Sequence, residues 1–468
     1  MKRLVPEVVQ TSAMDCGPAS LKSLLEGFGI GISYGRLREA CQIDLDGTSI
    51  DTVEGVAAQL GLEAEQVLVP ADHLFLKESR SLPAIVVVRN PGGLTHFVVA
   101  WSLQGRFLQV MDPATGRRWP TLRRFAEQLH IHRMPVPADG WREWAGSEDF
   151  LAPLRARLQA LGLRPEESEE LLRAALADPD WRGLAALDAA TRMARSVVEA
   201  GGLARGPQAE RMLHSFFERA RLEAEDGAPG VSRAVPDAYW SVRPGLPGEE
   251  GEERLLFRGA VLVRVRGRGP DEGNSGRAAL LSPELAAALA EPPSRPGREL
   301  LHLLRAGGLL APAALAAALA LGSLAVVFEA LLFRGFFDLG RELETSRQRL
   351  GGIGLLVAFV TALLFLDLPV LRGALRLGRH LEARLRVSFL QKIPRLSDRY
   401  FHSRLTSDMA DRSHSVHRLR LAPDLGEWFL RTAFELLLTT AGILWLDPGS
   451  APLALVTLAG VVGVPLLM

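Results

Sequence analysis

Between Gly308 and Met468 the chain carries four long apolar runs, near residues 308–333, 351–371, 421–446 and 451–468. A hydrocarbon core of about 30 Å needs roughly 20 residues of helix, and each run is close to that length. Within a bilayer the backbone must satisfy its own hydrogen bonds, so runs of this kind fold as helices. The last third, residues 301–468, is therefore expected to be all-α and to have a lipid bilayer as its partner. In the third run Glu427, Arg431 and Glu435 recur every four residues and share one helix face. They either look into a bundle interior or mark the interface where that span begins; both readings fit.

Arginines decide the orientation. The segment from Arg372 to Arg420 holds Arg376, Arg379, Arg384, Arg386, Arg395, Arg399, Arg404, Arg412 and Arg418, far more than Arg334 to Leu350. By the positive-inside rule it lies in the cytosol, and the N-terminus with it. Met1-Lys2-Arg3-Leu4-Val5-Pro6-Glu7 has no apolar core of a cleaved signal, which agrees. Two cysteines provide no disulfide framework and suit a reducing compartment. Basic and acidic residues number 54 each, so charge offers nothing to a nucleic-acid partner.

One of the two cysteines has an unusual setting. Cys16 lies in Gln10-Thr11-Ser12-Ala13-Met14-Asp15-Cys16-Gly17-Pro18-Ala19, where an extended segment is expected to become a helix. The free N–H groups and dipole of a helix N-terminus favour thiolate over thiol. Such a sulfur attacks carbonyls when a base stands beside it. His96 opens the strand His96 to Trp101, and Arg106 to Asp112 forms a second strand after a turn at Ser102-Leu103-Gln104-Gly105. A hairpin folded about Gln104 places His96 opposite Asp112, and opposed residues project from one face. The carboxylate then fixes the imidazole tautomer and stabilises the imidazolium. Gln10 is placed to donate to an oxyanion. Cys41 has no such surroundings and reads as structural.

Over about the first 135 residues the chain resembles the papain-like, bacteriocin-processing cysteine peptidase domain that precedes peptide-exporting ABC transporters. The resemblance rests on Gln10, Asp15 to Ala19, Gly47-Thr48-Ser49, Leu60-Gly61-Leu62, Leu82 to Ile85, Thr95 to Val99 and Asp112 to Gly116, in that order. It implies an α+β papain-like fold and hydrolysis of a leader peptide after a double-glycine motif. It also implies Cys16 as nucleophile, His96 as base and then acid, Asp112 as orienting group and Gln10 as oxyanion donor, with the site complete in residues 1–135. Proteolysis of this type needs no cofactor or metal. The implied partner is a precursor peptide with a double-glycine leader, and the implied location the bacterial inner membrane, multi-pass, with the peptidase in the cytoplasm.

Residues 136–300 are expected to form a mixed α/β insertion of unknown role. Helical spacing appears in Phe150–Leu163, Glu167–Leu176, Ala185–Glu199 and Pro207–Glu225, a Pro/Gly-rich linker spans Gly227–Gly251, and a strand-like run covers Leu255–Gly267. A short Ala-rich helix is expected from Ser282 to Leu289. The apolar third resembles part of an ABC exporter transmembrane domain. Its Arg-rich segment reads as two helical legs of about 20 residues, reaching ~30 Å from the membrane. Tyr400 to Arg412 would hold the short helix that meets an ATPase domain.

None of the four lysines follows a Gly-x-x-x-x-Gly-Lys-Ser/Thr loop. ATP and Mg are implied only for an ATPase domain or subunit, either lost by truncation or supplied by another polypeptide, and a homodimer only for a complete exporter. The competing readings are a membrane-anchored cysteine protease without transport and a module that binds leaders without cutting them.

Overall fold

The protein is described by a computed structural model covering residues 2–41, 47–90, 92–226, 234–246, 252–269, 281–291, 296–306, 308–340, 346–396, 400–401, 406–446 and 448–467. It divides into two compact units, Met1–Pro293 and Ser294 onward. In the first unit the helices are α1 (Cys16–Gly27), α2 (Tyr34–Ala40), α3 (Ile50–Gln59), α4 (Leu122–Gln128), α5 (Ala138–Ala145), α6 (Glu148–Ala160), α7 (Pro165–Leu176), α8 (Arg182–Glu199) and α9 (Pro207–Asp226). The strands are β1 (Leu62–Val69), β2 (Ala84–Arg89), β3 (Thr95–Gln104), β4 (Phe107–Asp112), β5 (Gly116–Arg118), β6 (His132–Pro137), β7 (Val242–Pro244) and β8 (Arg254–Arg268).

The strands form one antiparallel sheet in the order β1-β8-β2-β3-β4-β5, with β6 and β7 paired to the first half of β8. Alternation along the strands supplies two cores. Ile85, Val99, Met111, Val263 and Val265 pack with α1, α2 and α3 on one side. Val86, Val88, Val98, Val110 and Leu262 pack with Leu74, Phe125 and Leu129 on the other. A third core, with Trp141, Phe150, Leu158, Leu187 and Phe217, fills the helical cluster α5–α9 and reaches Leu255 and Phe257 of β8.

The expected domain boundary at 135/136 is not a packing boundary. Ala84, Ile85 and Val86 of β2 pair with Arg264, Val263 and Leu262, while Ala64 to Val69 of β1 pair with Val265 to Ala260. β8, far along the chain from β1 and β2, thus occupies the slot between them. Val261 to Val263 are apolar without alternation because both faces of a central strand are buried. The site is therefore not complete in residues 1–135 as regards its sheet.

Charge fastens the same two parts. Arg157 of α6 lies 3.0 Å from Asp72 and 2.7 Å from Asp188 of α8, and Arg192 of α8 lies 3.1 Å and 2.8 Å from the same two carboxylates. Ser241 Oγ donates to Asp188 at 2.6 Å. Burial would raise both carboxyls, but Arg192 and Arg157 outweigh it and hold them ionised. A buried pair of this kind is strongly destabilising once a single member is removed.

The second unit is helical: Pro296–Ala306, Leu310–Gly340, Ser346–Lys392, Thr406–Ser415, Ala422–Leu446 and Ala451–Leu467. Among the described residues, Leu310–Gly335 and Leu350–Arg395 are long and apolar enough to cross a membrane, each holding an 18-residue stretch whose mean hydropathy is 2.2 in the first and 2.4 in the second. The other two expected spans are helical but fall short of that measure. Ala422–Leu446 carries Asp424, Glu427, Arg431 and Glu435, with Arg431 Nε 3.1 Å from Glu435, and Pro448–Gly463 is apolar but short. The second run and the Arg-rich leg after it are one helix of 47 residues, about 70 Å at 1.5 Å per residue. Of the expected crosswise segment, 402–405 lie outside the described residues, as do 397–399 before it. So do Asp447 of the expected outer turn and residues 227–233 and 247–251 of the expected linker.

Because β8 fills the middle of the sheet, a chain ending at residue 135 should lack a cooperative thermal transition by circular dichroism, whereas one ending at Pro293 should keep it. A cooperative transition in the shorter chain would show that the strand is dispensable.

Candidate active site

The segment before α1 is strapped along the sheet. Val5 N–H donates to Gln109 Oε1 at 3.0 Å, Arg117 donates to the Val5 carbonyl, and Gln10 N–H donates to the Pro113 carbonyl at 2.8 Å. Gln10 is thereby fixed beside the end of β4. Its side-chain Oε1 is buried without a hydrogen-bond partner among the described residues.

α1 begins at Cys16, whose side chain is partly exposed. Pro18 is tolerated because a first-turn residue needs no N–H. Gly17 is closely packed: a Cβ there would meet Thr48 Cβ at 3.1 Å, so Thr48 lies against the helix start. Ser20 Oγ donates to the Phe97 carbonyl at 3.3 Å and ties α1 to β3 one residue from His96. At the other end of α1, a Cβ on Gly27 would lie 2.2 Å from the Trp101 ring.

The hairpin register differs from the expected one. The strands turn at Gly105-Arg106, with Gly105 at φ +59°, and Gln104 faces Phe107. From that tip Ser102 faces Gln109, but Ala100 faces Val110, so Trp101 is an extra residue on β3. This bulge decides the site. Without it Asp112 would align with Val99 and face away from His96. With it the ladder, continued one residue beyond Val99–Met111, brings Asp112 level with Val98, on the face that carries His96. Asp112 therefore reaches His96 diagonally, not from directly opposite, and the hydrogen bond forms: His96 Nε2 to Asp112 Oδ1 is 2.8 Å.

Asp112 is further held by the Ala114 N–H at 2.9 Å and by Arg118 Nη2, 3.2 Å from Oδ2. Burial would raise its pKa, but the His96 hydrogen bond, the Ala114 N–H and Arg118 together lower it. For His96 burial works toward the neutral ring, yet hydrogen bonds to Asp112 and Cys16 and the charges of both lift it to about 9. With Nε2 committed to Asp112, Nδ1 is the nitrogen left to meet the thiol. Cys16, His96 and Asp112 thus form one chain of contacts, and Gln10 is pinned next to Asp112 through Pro113.

Arg118, Trp101 and the residues around Asp15 (Thr11, Tyr34 and Arg38) have no signature in the sequence. Arg118 reaches Asp112 only because β5 folds back on β4, pairing Asp112 with Gly116. Cys41 is buried, and burial pushes its thiol up to about 12. No group of three or more His, Cys, Asp or Glu side chains is arranged around a metal position among the described residues.

An antiparallel sheet backed by helices, with a helix-start thiol joined to a His–Asp pair, defines a cysteine peptidase domain. Residues 5–130 match the Peptidase C39 family, and the chain belongs to that family through this segment. The chain is 29% identical over 128 residues to the lactococcin-G-processing and transport ATP-binding protein LagD of Lactococcus lactis subsp. lactis, covering 27% of this chain and 18% of that protein. It is 30% identical over 110 residues to an uncharacterized protein of Methanothermobacter thermautotrophicus, covering 24% of this chain and 72% of that one. The crystal structure of a double glycine motif protease from an AMS/PCAT transporter in complex with the leader peptide aligns with 26% identity and a TM-score of 0.25, over 28% of this chain and 90% of that one. The chain spans about a fifth of the length of the processing and transport proteins it matches.

A raised His96 stabilises the fold fully below pH 6.5, where the unfolded histidine is also protonated, and that contribution is lost as pH climbs through about 9. The melting-temperature gap between the native chain and His96→Gln should therefore be widest below pH 6.5 and close above about 9; a gap that ignores pH would contradict the charged pair. Gly27→Ala, forced against Trp101, should reduce proteolysis at least tenfold by about 1.4 kcal/mol or more of lost transition-state stabilisation, read in a peptide-cleavage assay on protein that remains folded.

Proposed function

We propose that this protein removes leader peptides from precursor peptides by hydrolysis after a double-glycine motif, and that this cleavage is coupled to export of the released peptide. The observation that carries the proposal is the 2.8 Å His96–Asp112 hydrogen bond standing against the thiol at the start of α1. The processing and transport roles in the names of its relatives support the same reading.

In this reading the Cys16 sulfur, its proton taken by His96, attacks the carbonyl carbon of the second glycine. The carbonyl π pair moves to oxygen, and the side-chain amide of Gln10 stabilises the resulting oxyanion. His96 returns the proton to the leaving amine as the C–N bond breaks, leaving a thioester on Cys16. Water, deprotonated by His96, attacks that thioester and frees the leader with Cys16 restored. Asp112 keeps Nε2–H engaged throughout, so Nδ1 performs both proton transfers.

The remaining assignments belong to the same proposal. Residues 1–135 carry the peptidase machinery, 136–300 complete its sheet, and 301–468 act as part of an exporter transmembrane domain with spans near 308–333, 351–371, 421–446 and 451–468. The Arg372–Arg420 segment and the peptidase lie on the cytoplasmic side of a bacterial inner membrane. ATP-driven steps fall to an ATPase domain or subunit with its own ATP and Mg, in a homodimeric exporter.

The test is cleavage of a precursor bearing a double-glycine leader by the full chain, followed by mass spectrometry. Cys16→Ala should abolish cleavage while precursor binding persists, and His96→Ala should lower kcat by about 10³-fold or more. Undiminished turnover in either variant would exclude the proposed chemistry, and binding without any cleavage by the native chain would favour a docking role.

A further inference from the structure

Asp15 stands immediately before α1, where an aspartate ordinarily accepts a hydrogen bond from a first-turn N–H. Here its side chain makes no such bond. The carboxylate is turned instead into the protein: Oδ1 lies 2.8 Å from Arg38 Nε, and Oδ2 accepts from Thr11 Oγ1 at 2.9 Å and Tyr34 Oη at 3.2 Å. Asp15 and Arg38 are 0% and 1% exposed. Arg38 and Tyr34 both come from α2. A buried ion pair seldom improves on an apolar substitute as a source of stability. Its placement one residue from the nucleophile therefore calls for a different account.

We propose that Arg38, Tyr34 and Thr11 are positioning residues that hold the Asp15 carboxylate off the N-terminus of α1, so that the positive end of this helix serves the Cys16 thiolate and the oxyanion formed from it. The inference rests on Cys16 being the nucleophile. A helix N-terminus stabilises whatever anion reaches it first. A capping carboxylate at Asp15 would occupy that end and set a second negative charge beside the sulfur. Drawn back and neutralised by Arg38, it does neither. His96 stands against Cys16 with Asp112 and Arg118 behind it, and the Tyr34 phenol beside Asp15 is held protonated by burial and by Asp15.

The experiment follows alkylation of Cys16 by iodoacetamide at pH 7 in the full chain, read by mass spectrometry on the peptide that contains it; Cys41 is buried. Arg38→Met leaves the carboxylate uncompensated and should slow alkylation about tenfold by setting an unbalanced negative charge beside the sulfur. Combining Asp15→Asn with Arg38→Met removes both charges at similar volume and should restore alkylation to within about threefold of native. A merely structural lock predicts that the double variant is as slow as the single one. That result, or an unchanged rate in Arg38→Met, would overturn the proposal. Where Arg38→Met does not fold, the double variant measured against the native chain decides alone: near-native alkylation supports the proposal and a tenfold loss rejects it. His96→Ala run in parallel separates the premise from the inference, because native alkylation there would remove the Cys16–His96 pair itself.

Discussion

A single unpaired residue in a strand governs this site. Trp101 is the extra residue that shifts β3 against β4, and the shift alone puts Asp112 on the face of the sheet that carries His96. The indole that creates the offset is itself locked by α1. It lies over Gly27 with no room for a Cβ, meets Phe28 edge-on at 5.9 Å, and donates to the Lys2 carbonyl at 3.2 Å. The helix that begins with the nucleophile thus clamps at its far end the residue that aligns the base with its carboxylate. Helix placement and hairpin register are one constraint.

The second dependence is on chain remote in sequence. β8 fills the gap between β1 and β2 and contributes Leu262, Val263 and Val265 to both cores of the sheet. The buried Arg157 and Asp188, with the half-buried Asp72 and Arg192, then bind the helical cluster to the same body. A segment with the look of a spacer is part of the scaffold that holds β2 and β3 in place. The physical reason is ordinary: a strand buried on both faces needs a neighbour on each side to satisfy its N–H and C=O groups.

The outline of the site was legible because its signals are local. A cysteine at a helix start, a histidine at the mouth of a strand and an Asp-Pro at the end of the next can each be read within a few residues. Near the site the expected register was nevertheless off by two, because moving the turn from Gln104 to Gly105-Arg106 shifts it by three and the Trp101 bulge takes one back. The error was harmless because side chains alternate with a period of two, so a slip of two keeps the same face. Arg118 and Arg38 were not legible, since each reaches its carboxylate across a strand or helix pairing. The strand of Leu255–Gly267 was read as a strand, but its partners could not be. Periodicity reports how a segment is buried and says nothing of which segment covers it.

In the second unit all four apolar runs are helices, because composition and length suffice for that. The second run and the Arg-rich leg expected after it form one helix from Ser346 to Lys392. By itself, then, the sequence determined which residues could do chemistry and which segments were apolar, both being properties of a side chain and its near neighbours. Only the tertiary structure decided the Trp101 offset, the insertion of β8 and the burial of Asp15 against Arg38. Each depends on the packing of surfaces from distant parts of the chain, and no short-range pattern encodes the fit between them.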